Sequence, residues 1–244
     1  MTGSQTVGVP EVTMPEHLEE ASGIAAVMDR FSETELMDIL NISPKIASEV
    51  KCRYGAIVSD EAEHIPAILA YTGAVFKRIN PSDFTAGDFR FAQEHLRITS
   101  FLYGLLRPLD LVAQYRLEGN VRLPGAETDI FGYWKPVLTN EFIREIKEAG
   151  GLLVDLASEE MKNLFDWEAV CREVRVVRPE FISIRNGKPR TVVIYAKMCR
   201  GEMTRMIIKQ QIEDPGALKS FRWDGFMYNA DMSSDNRLVF SHID

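Results

Sequence analysis

The sequence predicts a mixed α/β domain, in which helices flank a sheet of parallel and antiparallel strands. One observation is an order of elements: a helical pattern stops at Gly150-Gly151, an apolar strand LLVDL follows at 152–156, and the polar ASEEM opens another helix. Such alternation is typical of α/β folds. The second observation is Asn186-Gly187, a hairpin turn signal between two alternating strands at 174–181 and 190–195.

Composition predicts one domain that spans residues 1–244, because no repeat, low-complexity tract or linker interrupts the chain. Hydrophobic residues make up 45% of it, enough for a buried core. The formal charge of −8 argues against a protein that is basic throughout. Between Cys171 and Arg205, however, nine Lys or Arg face three Glu, so this segment carries +6 and the remainder −14. We therefore expect a polarised surface whose basic part faces an anion.

Motifs for metals, cofactors and membranes are missing from the sequence. Three cysteines and four histidines show no metal-ligand spacing, and there is no Walker loop or GxGxxG. We expect neither a metal nor a cofactor. No apolar run approaches a membrane span and no secretory signal is evident, so the prediction is a cytoplasmic protein without membrane contact.

The N-terminal elements are predicted in order from caps and periodicity. Residues 1–13 are expected to be irregular, and a helix is predicted for 15–30. Ser32 with Glu35 forms a capping-box pattern. The apolar run PAILAY at 66–71 indicates a buried strand, and the spacing over 82–96 indicates a helix.

Residues 32–54 have the layout of a helix-hairpin-helix, in which a tight turn at 41–43 precedes a second helix that begins at Pro44. Such a turn can present helix amides to a phosphate, with Ser43 capping or binding and Lys45 reaching the anion. The usual glycines are absent, so an ordinary helical hairpin is the alternative.

The stretch 91–119 is predicted to hold a site. An apolar run at 101–106 is followed by crowded polar residues, and Pro108 disfavours helix at the preceding arginine. The alternative is an ion-paired loop that closes the fold. The polar residues are Arg107, Asp110, Tyr115, Arg116 and Glu118.

The C-terminal third is predicted to be rich in basic residues. A helix is expected over 131–149, and another emerges from a strand between 195 and 211. Cations near a helix start oppose the helix dipole, so they can indicate a bound anion, unless nearby acids neutralise them. A final hairpin pairs 226–228 with 238–240. The cations near the second helix start are Lys197, Arg200 and Arg205, and Arg172, Arg175, Arg178 and Arg185 are expected along one sheet face.

Five segments together resemble the YaaA family of bacterial peroxide-stress proteins: HLRITSFLYGLLRPLDL, YRLEG, VDLASEEM, YAKMCRGEMTR and GFMYN with SSDNRLVF. The resemblance implies a single α/β domain of unusual topology, a cytoplasmic location and a role in limiting oxidative damage. It also implies DNA binding through a helix-hairpin-helix and a basic cleft. Family members typically begin with an apolar strand and a Ser-Pro-Ala-Lys motif, which has no counterpart here; Ser43-Pro44-Lys45 lies too far along.

Two functions follow from these patterns. The first is non-specific binding of double-stranded DNA during peroxide stress. The alternative is an enzyme that acts on a phosphorylated small molecule or a nucleobase, with carboxylates as general acid or base. The predicted anion-binding residues are Ser43, Lys45, Arg107, Arg116, Lys197, Arg200 and Arg205, and the candidate catalytic residues are Asp110, Glu118 and Glu159.

Cys199 allows a third hypothesis, because it lies between Lys197 and Arg200 in the sequence. Neighbouring cations lower a thiol pKa, as in redox sensors. The alternative is a small buried thiol, which is common.

Overall fold

A computed structural model describes Met1, Gly3 and residues 7–243. The predicted irregular start, 1–13, therefore lies partly outside the described residues. The helices are α1 (Leu18–Met28), α2 (Glu33–Leu40), α3 (Pro44–Val58), α4 (Ala67–Ala70), α5 (Ala74–Ile79), α6 (Ala86–His95), α7 (Ile130–Glu148), α8 (Trp167–Glu173) and α9 (Val193–Gln210). The strands are β1 (His64–Pro66), β2 (Ile98–Ser100), β3 (Gly104–Leu106), β4 (Leu111–Ala113), β5 (Leu152–Val154), β6 (Arg175–Arg185), β7 (Lys188–Arg190), β8 (Arg222–Trp223), β9 (Phe226–Tyr228) and β10 (Arg237–Ile243).

The main sheet is mixed, as predicted. Its order is β5-β6-β10-β9-β8, with β7 paired to β6. The three strands β5, β6 and β10 are parallel, whereas β9 and β8 continue the sheet antiparallel. Two small antiparallel pairs, β1–β4 and β2–β3, lie outside this sheet. The fold class is thus mixed α/β with flanking helices.

Two apolar clusters form the core. The larger one joins the N-terminal helices, α7 and the small strand pairs around Trp134, which is fully buried. The smaller one lies between the main sheet and α9, where Phe181 and Phe240 pack with Ala196 and Cys199. Strand β6 and helix α9 therefore share one buried face. None of the helices in the described part of the chain has the length and apolarity that a bilayer span needs.

Several local signals predicted the elements correctly. Ser32 and Glu35 form the capping box of α2, and Pro44 opens α3 after Asn41 ends α2 in the left-handed conformation. Helix α7 ends just before Gly150-Gly151, both at positive φ. The helical hairpin α2–α3 is present. Its assignment as a DNA-binding helix-hairpin-helix stays a prediction.

Two predicted strands are wrong in part. The apolar run 66–71 enters a short helix, α4, because a brief buried apolar run suits either state. The second hairpin strand stops at Arg190, and α9 begins at Val193 despite β-branched residues there, because its apolar face packs on the sheet. The helix predicted from residue 82 begins at Ala86, where Thr85 caps it.

The predicted row of arginines is also wrong. Side chains alternate along a strand, so Arg178 lies on the face opposite Arg175 and Arg185. Arg172 belongs to α8. The face shared by Arg175 and Arg185 carries the buried Val177 and Phe181 between them.

Candidate functional site

A cavity of about 320 Å³ lies beside the predicted LRPLD stretch. We call it the acidic cavity, because four carboxylates face two guanidiniums, a formal balance of −2. Thr13 is held at the cavity by an isolated β-bridge to Asp110. Helix α7 contributes Glu141 and Glu145, which are one turn apart. Its lining residues are Thr13, Met14, Glu16, Arg97, Leu105, Arg107, Asp110, Glu141 and Glu145.

Glu145 joins the two arginines of the acidic cavity. Arg97 Nε donates to one carboxylate oxygen at 2.7 Å, and an Arg107 terminal nitrogen donates to the other at 3.3 Å. Burial opposes ionisation of this carboxyl, but these hydrogen bonds hold the pKa of Glu145 below its ordinary value. Each arginine therefore already has a carboxylate partner before any ligand arrives.

Glu141 has its own partner, His17, whose Nε2 lies 2.8 Å from a carboxylate oxygen. The histidine is buried edge-on against Trp134. Its hydrogen bond to Glu141 raises the pKa of His17 despite burial. Oxygens of Glu16, Glu141 and Glu145 lie within 4.8 Å of one another; because two of these groups are already paired, we assign no metal to them.

Asp110 is the deepest carboxylate of the acidic cavity, at 3% exposure. It accepts hydrogen bonds from the Thr13 hydroxyl at 2.6 Å and from the Arg107 backbone N–H at 2.7 Å. Burial raises the pKa of Asp110. A carboxyl with a raised pKa beside fixed donors can exchange a proton with a bound ligand. Of the three candidate catalytic residues, Asp110 is the one that lines this cavity.

The other candidate carboxylates lie in separate ion pairs. Glu118 meets Arg116 at 3.0 Å, both partly exposed. Glu159 pairs with Lys162, a buried lysine that also meets Asp155 at 2.9 Å. The hydrogen bond from this lysine lowers the pKa of Glu159.

Lys162 was missed by the sequence analysis. It lies beyond the carboxyl end of β5, with its ammonium 5.2 Å from the Trp167 ring centroid. Arg178 lies on the same ring, with its guanidinium carbon 5.8 Å from the centroid, and 3.8 Å from Asp155. Arg97, Glu141 and Glu145 were also missed. The i, i+4 spacing of the two glutamates places them on one face of α7, which was a weak sign of a shared site. Their partners, His17 and Arg97, lie 124 and 48 positions away in the sequence, so no local pattern connects them.

The predicted anion-binding residues do not share one cavity. Arg107 lines the acidic cavity, whereas Arg205 lines a second one and bonds to Asp83 at 2.6 Å. Arg205 also donates to two backbone carbonyls, those of Ile79 and Asn80. Five positions along α9 rotate a side chain by about 140°, so Arg200 and Arg205 lie on different sides of the helix.

Lys197 and Arg200 lie instead in the first half of α9, which directly follows the β6–β7 hairpin. We group these two residues with the three hairpin cations and call the set the basic surface: Arg185, Lys188, Arg190, Lys197 and Arg200. Residues 181–201 contain these five cations and no acid. Except for Arg200, all are exposed.

The hairpin cations point to one face. Arg185 is directly opposite Lys188, and Arg190 is opposite Ser183, so the three cations share a side of the ribbon. The turn at Asn186-Gly187 has positive φ at both residues, as the sequence predicted. Within the described residues, none of the five has a carboxylate within 4.0 Å, although Arg200 contributes to the lowered pKa of Glu159.

The prediction that three cations crowd the start of α9 is wrong for two of them. Helix α9 begins at Val193, so Lys197, Arg200 and Arg205 are its fifth, eighth and thirteenth residues. Only the first of them is near the amino end. The dipole therefore does not repel this set as the sequence suggested.

The α2–α3 turn and Cys199 complete the predicted groups. Ser43 and Lys45 are exposed, and Ser43 makes no capping hydrogen bond. Cys199 is fully buried, and burial raises the pKa of its thiol to about 12. The redox-sensor hypothesis for Cys199 is therefore wrong, because a buried neutral thiol is unreactive.

Comparison with known proteins defines the class to which this fold and these motifs belong. Residues 2–232 match the family model described as peroxide stress protein YaaA, so the chain belongs to that family. A UPF0246 protein of Phocaeicola vulgatus is 52% identical over 99% of this chain and 95% of its own length. UPF0246 proteins of Bacteroides thetaiotaomicron and Porphyromonas gingivalis are 52% and 39% identical, over 98% and 97% of this chain and 94% and 96% of their own lengths.

Proposed function

We propose that this protein acts in peroxide-stress protection in the cytoplasm by binding double-stranded DNA without sequence preference through the basic surface. The observation that carries the proposal is the run of five cations on the β6–β7 hairpin and α9, none of which has a carboxylate within 4.0 Å among the residues that the structure describes. Arginine and lysine that are not already paired can exchange counterions for phosphates. The family description supports the stress context.

The overall charge of −8 does not oppose this proposal. An acidic remainder keeps the protein soluble and orients the basic surface toward a polyanion. Lys197 and Arg200 retain their predicted role in this proposal. Arg107, Arg116 and Arg205 contribute less, because each already has a carboxylate partner.

The α2–α3 turn is a second proposed contact. Ser43 and Lys45 are exposed there, and the first amides of α3 point outward from a fifteen-residue helix. A single cation makes this the weaker contact, so Lys45→Gln should reduce affinity less than a change in the basic surface.

The test is binding of a short fluorescent duplex over a range of salt. Five phosphate contacts predict a slope of about −4 to −5 for log Kobs against log salt. The double reversal Lys188→Glu/Lys197→Glu should weaken binding more than tenfold and flatten the slope by about two. Arg90→Glu/Arg144→Glu is the matched control, since both arginines are exposed on other helices.

Equal affinity of the two double variants would refute the assignment of the basic surface. Lys188→Gln/Lys197→Gln serves as a second variant in case Lys188→Glu/Lys197→Glu does not fold, because it removes the two positive charges without adding negative ones. Salt-independent binding by the wild type would contradict the phosphate mechanism itself.

A second candidate function is an enzyme that uses the acidic cavity. It is favoured by the buried Asp110 with its raised pKa, in a concave site with Arg107. Because the arginines there are paired, the charge balance favours a nucleobase over a phosphorylated molecule. Thermal-shift screening of both ligand classes would test this. A stabilising ligand whose effect is lost in Asp110→Asn would support the enzyme, and no shift with either class would exclude it from this cavity.

A further inference from the structure

A second cavity, of about 370 Å³, lies between α9 and the segment that leads into β8. One wall is the α9 face that carries Arg205 and Lys209, and the other holds Arg222 and Trp223. We call it the Trp223 cavity. It was not anticipated from the sequence, apart from the assignment of Arg205 to an anion site.

The Trp223 cavity has the opposite charge from the acidic cavity. Three cations, Arg205, Lys209 and Arg222, face one carboxylate, that of Glu202, a formal balance of +2. The carboxylate is itself 3.5 Å from Arg78. Excess positive charge in a concave site favours an anionic ligand.

The cations differ in how much hydrogen-bonding capacity they have left. Arg205 and Lys209 are fixed from behind by Asp83 and Asp88, at 2.6 and 3.0 Å. Arg222 has no carboxylate within 4.0 Å in the described part of the chain, and one of its nitrogens donates to the carbonyls of Lys219 and Phe221. Its remaining donors make Arg222 the principal anion contact, whereas Arg205 and Lys209 are already paired with carboxylates.

Trp223 supplies an aromatic wall. The Arg78 guanidinium carbon lies 5.1 Å from its ring centroid. The backbone of Trp223 is held by pairing with Phe226 across a tight turn, in which Gly225 has φ +78° and a Cβ would lie 2.4 Å from His242. A partly buried, oriented indole is a stacking platform for a planar base.

We propose that the Trp223 cavity binds a nucleoside phosphate, with the base against Trp223 and the phosphate at Arg222. Planar guanidinium beside an indole is the combination that recognises such a ligand. The ligand is either a free nucleotide or one unit of a nucleic-acid strand. The proposal does not rest on the basic surface, because the Trp223 cavity and the basic surface share no residue.

The test is quenching of tryptophan fluorescence by AMP, adenosine and inorganic phosphate, with binding checked by calorimetry. We expect AMP to bind at least tenfold more tightly than adenosine or phosphate alone. Trp223→Phe should remove the quench and weaken AMP binding several-fold. Arg222→Gln should reduce the preference for AMP over adenosine to about twofold, whereas Lys219→Gln, a neighbouring cation that lies over Tyr228 instead, should change nothing.

The outcomes separate the possible ligands. Quenching by a single-stranded oligonucleotide but not by AMP would identify the unit of a strand and still support the cavity. A quench that persists in Trp223→Phe, or equal binding of AMP and adenosine, would overturn the proposal, as would the absence of binding by both AMP and the oligonucleotide. Lys188→Glu/Lys197→Glu should leave AMP binding intact even where duplex binding is lost.

Discussion

The acidic cavity and the basic surface both contain arginines, but they differ in how those arginines are paired: within the described residues, the arginines of the basic surface have no carboxylate within 4.0 Å. In the acidic cavity, Arg97 and Arg107 converge on Glu145, which is largely buried. On the basic surface, Arg185 lies opposite another cation, Lys188. The first arrangement pairs the arginines with a carboxylate inside the fold. The second places like charges opposite each other on a β-ladder, which is slightly unfavourable.

The difference shows that the sign and number of charges in a segment do not define an anion site. What matters is whether carboxylates from elsewhere in the fold already satisfy the cations. Arg97 and Glu145 are 48 positions apart, and His17 and Glu141 are 124 apart. Those pairings determine which cations remain available to bind an anion. Substitutions at the acidic cavity and at the basic surface should therefore have different effects.

The largest effect on stability is expected from Glu145→Gln. This change removes the carboxylate charge that both Arg97 and Arg107 contact, so the free energy of unfolding should fall by about 3 kcal/mol. Urea denaturation at pH 7 measures it. The control is Glu148→Gln, at an exposed glutamate three residues further along α7. This change should cost less than about 0.5 kcal/mol of unfolding free energy. Similar losses in both variants would mean that Glu145 is not the hub of the acidic cavity.

A smaller, pH-dependent effect is expected from the His17–Glu141 pair. Because the folded pKa of His17 is raised, its stabilisation is complete below the unfolded pKa of about 6.5 and is lost as pH rises through the folded value. Glu141→Gln should cost about 1–2 kcal/mol at pH 6 and less at pH 8. Urea unfolding at several pH values measures this.

The control for the pH series is His64→Gln, at a histidine outside the acidic cavity. It should keep the wild-type difference in stability between pH 6 and pH 8. If Glu141→Gln kept that difference as well, the titration would belong to another group.

Local signals predicted most of the elements. The capping box at Ser32, the double glycine after α7 and the turn at Asn186-Gly187 each act over a few residues, so the sequence displays them directly. The errors fall where tertiary packing decides. Residues 67–70 are buried and apolar, yet they are helical. Val193 and Ile194 are β-branched and exposed, yet they form the first turn of α9, which packs on the sheet through Ala196 and Cys199.

The sites were harder to predict than the fold. Arg107, Asp110 and Arg116 were selected together, as polar residues that follow the apolar run 101–106, and only the first two line the acidic cavity. Arg205 was selected as a cation near a helix start, and both Arg116 and Arg205 are paired. Lys162, Glu141 and Glu145 were missed, because their partners come from distant positions that no spacing rule connects.

The smallest effect on stability is expected when cations of the basic surface are removed, and this change should stabilise the fold instead of destabilising it. Like charges directly opposite each other on a ladder destabilise it, so Arg185→Gln/Lys188→Gln should leave the free energy of unfolding within about 0.5 kcal/mol or raise it. Thermal unfolding at low and high salt measures this. Because salt screens exposed charges, any gain in stability should vanish at about 1 M salt.

The same variant should lose duplex affinity, whereas Glu145→Gln should keep it if the protein remains folded. A substantial loss of stability here would mean that the hairpin cations have partners within the fold, and the contrast with the acidic cavity would then disappear.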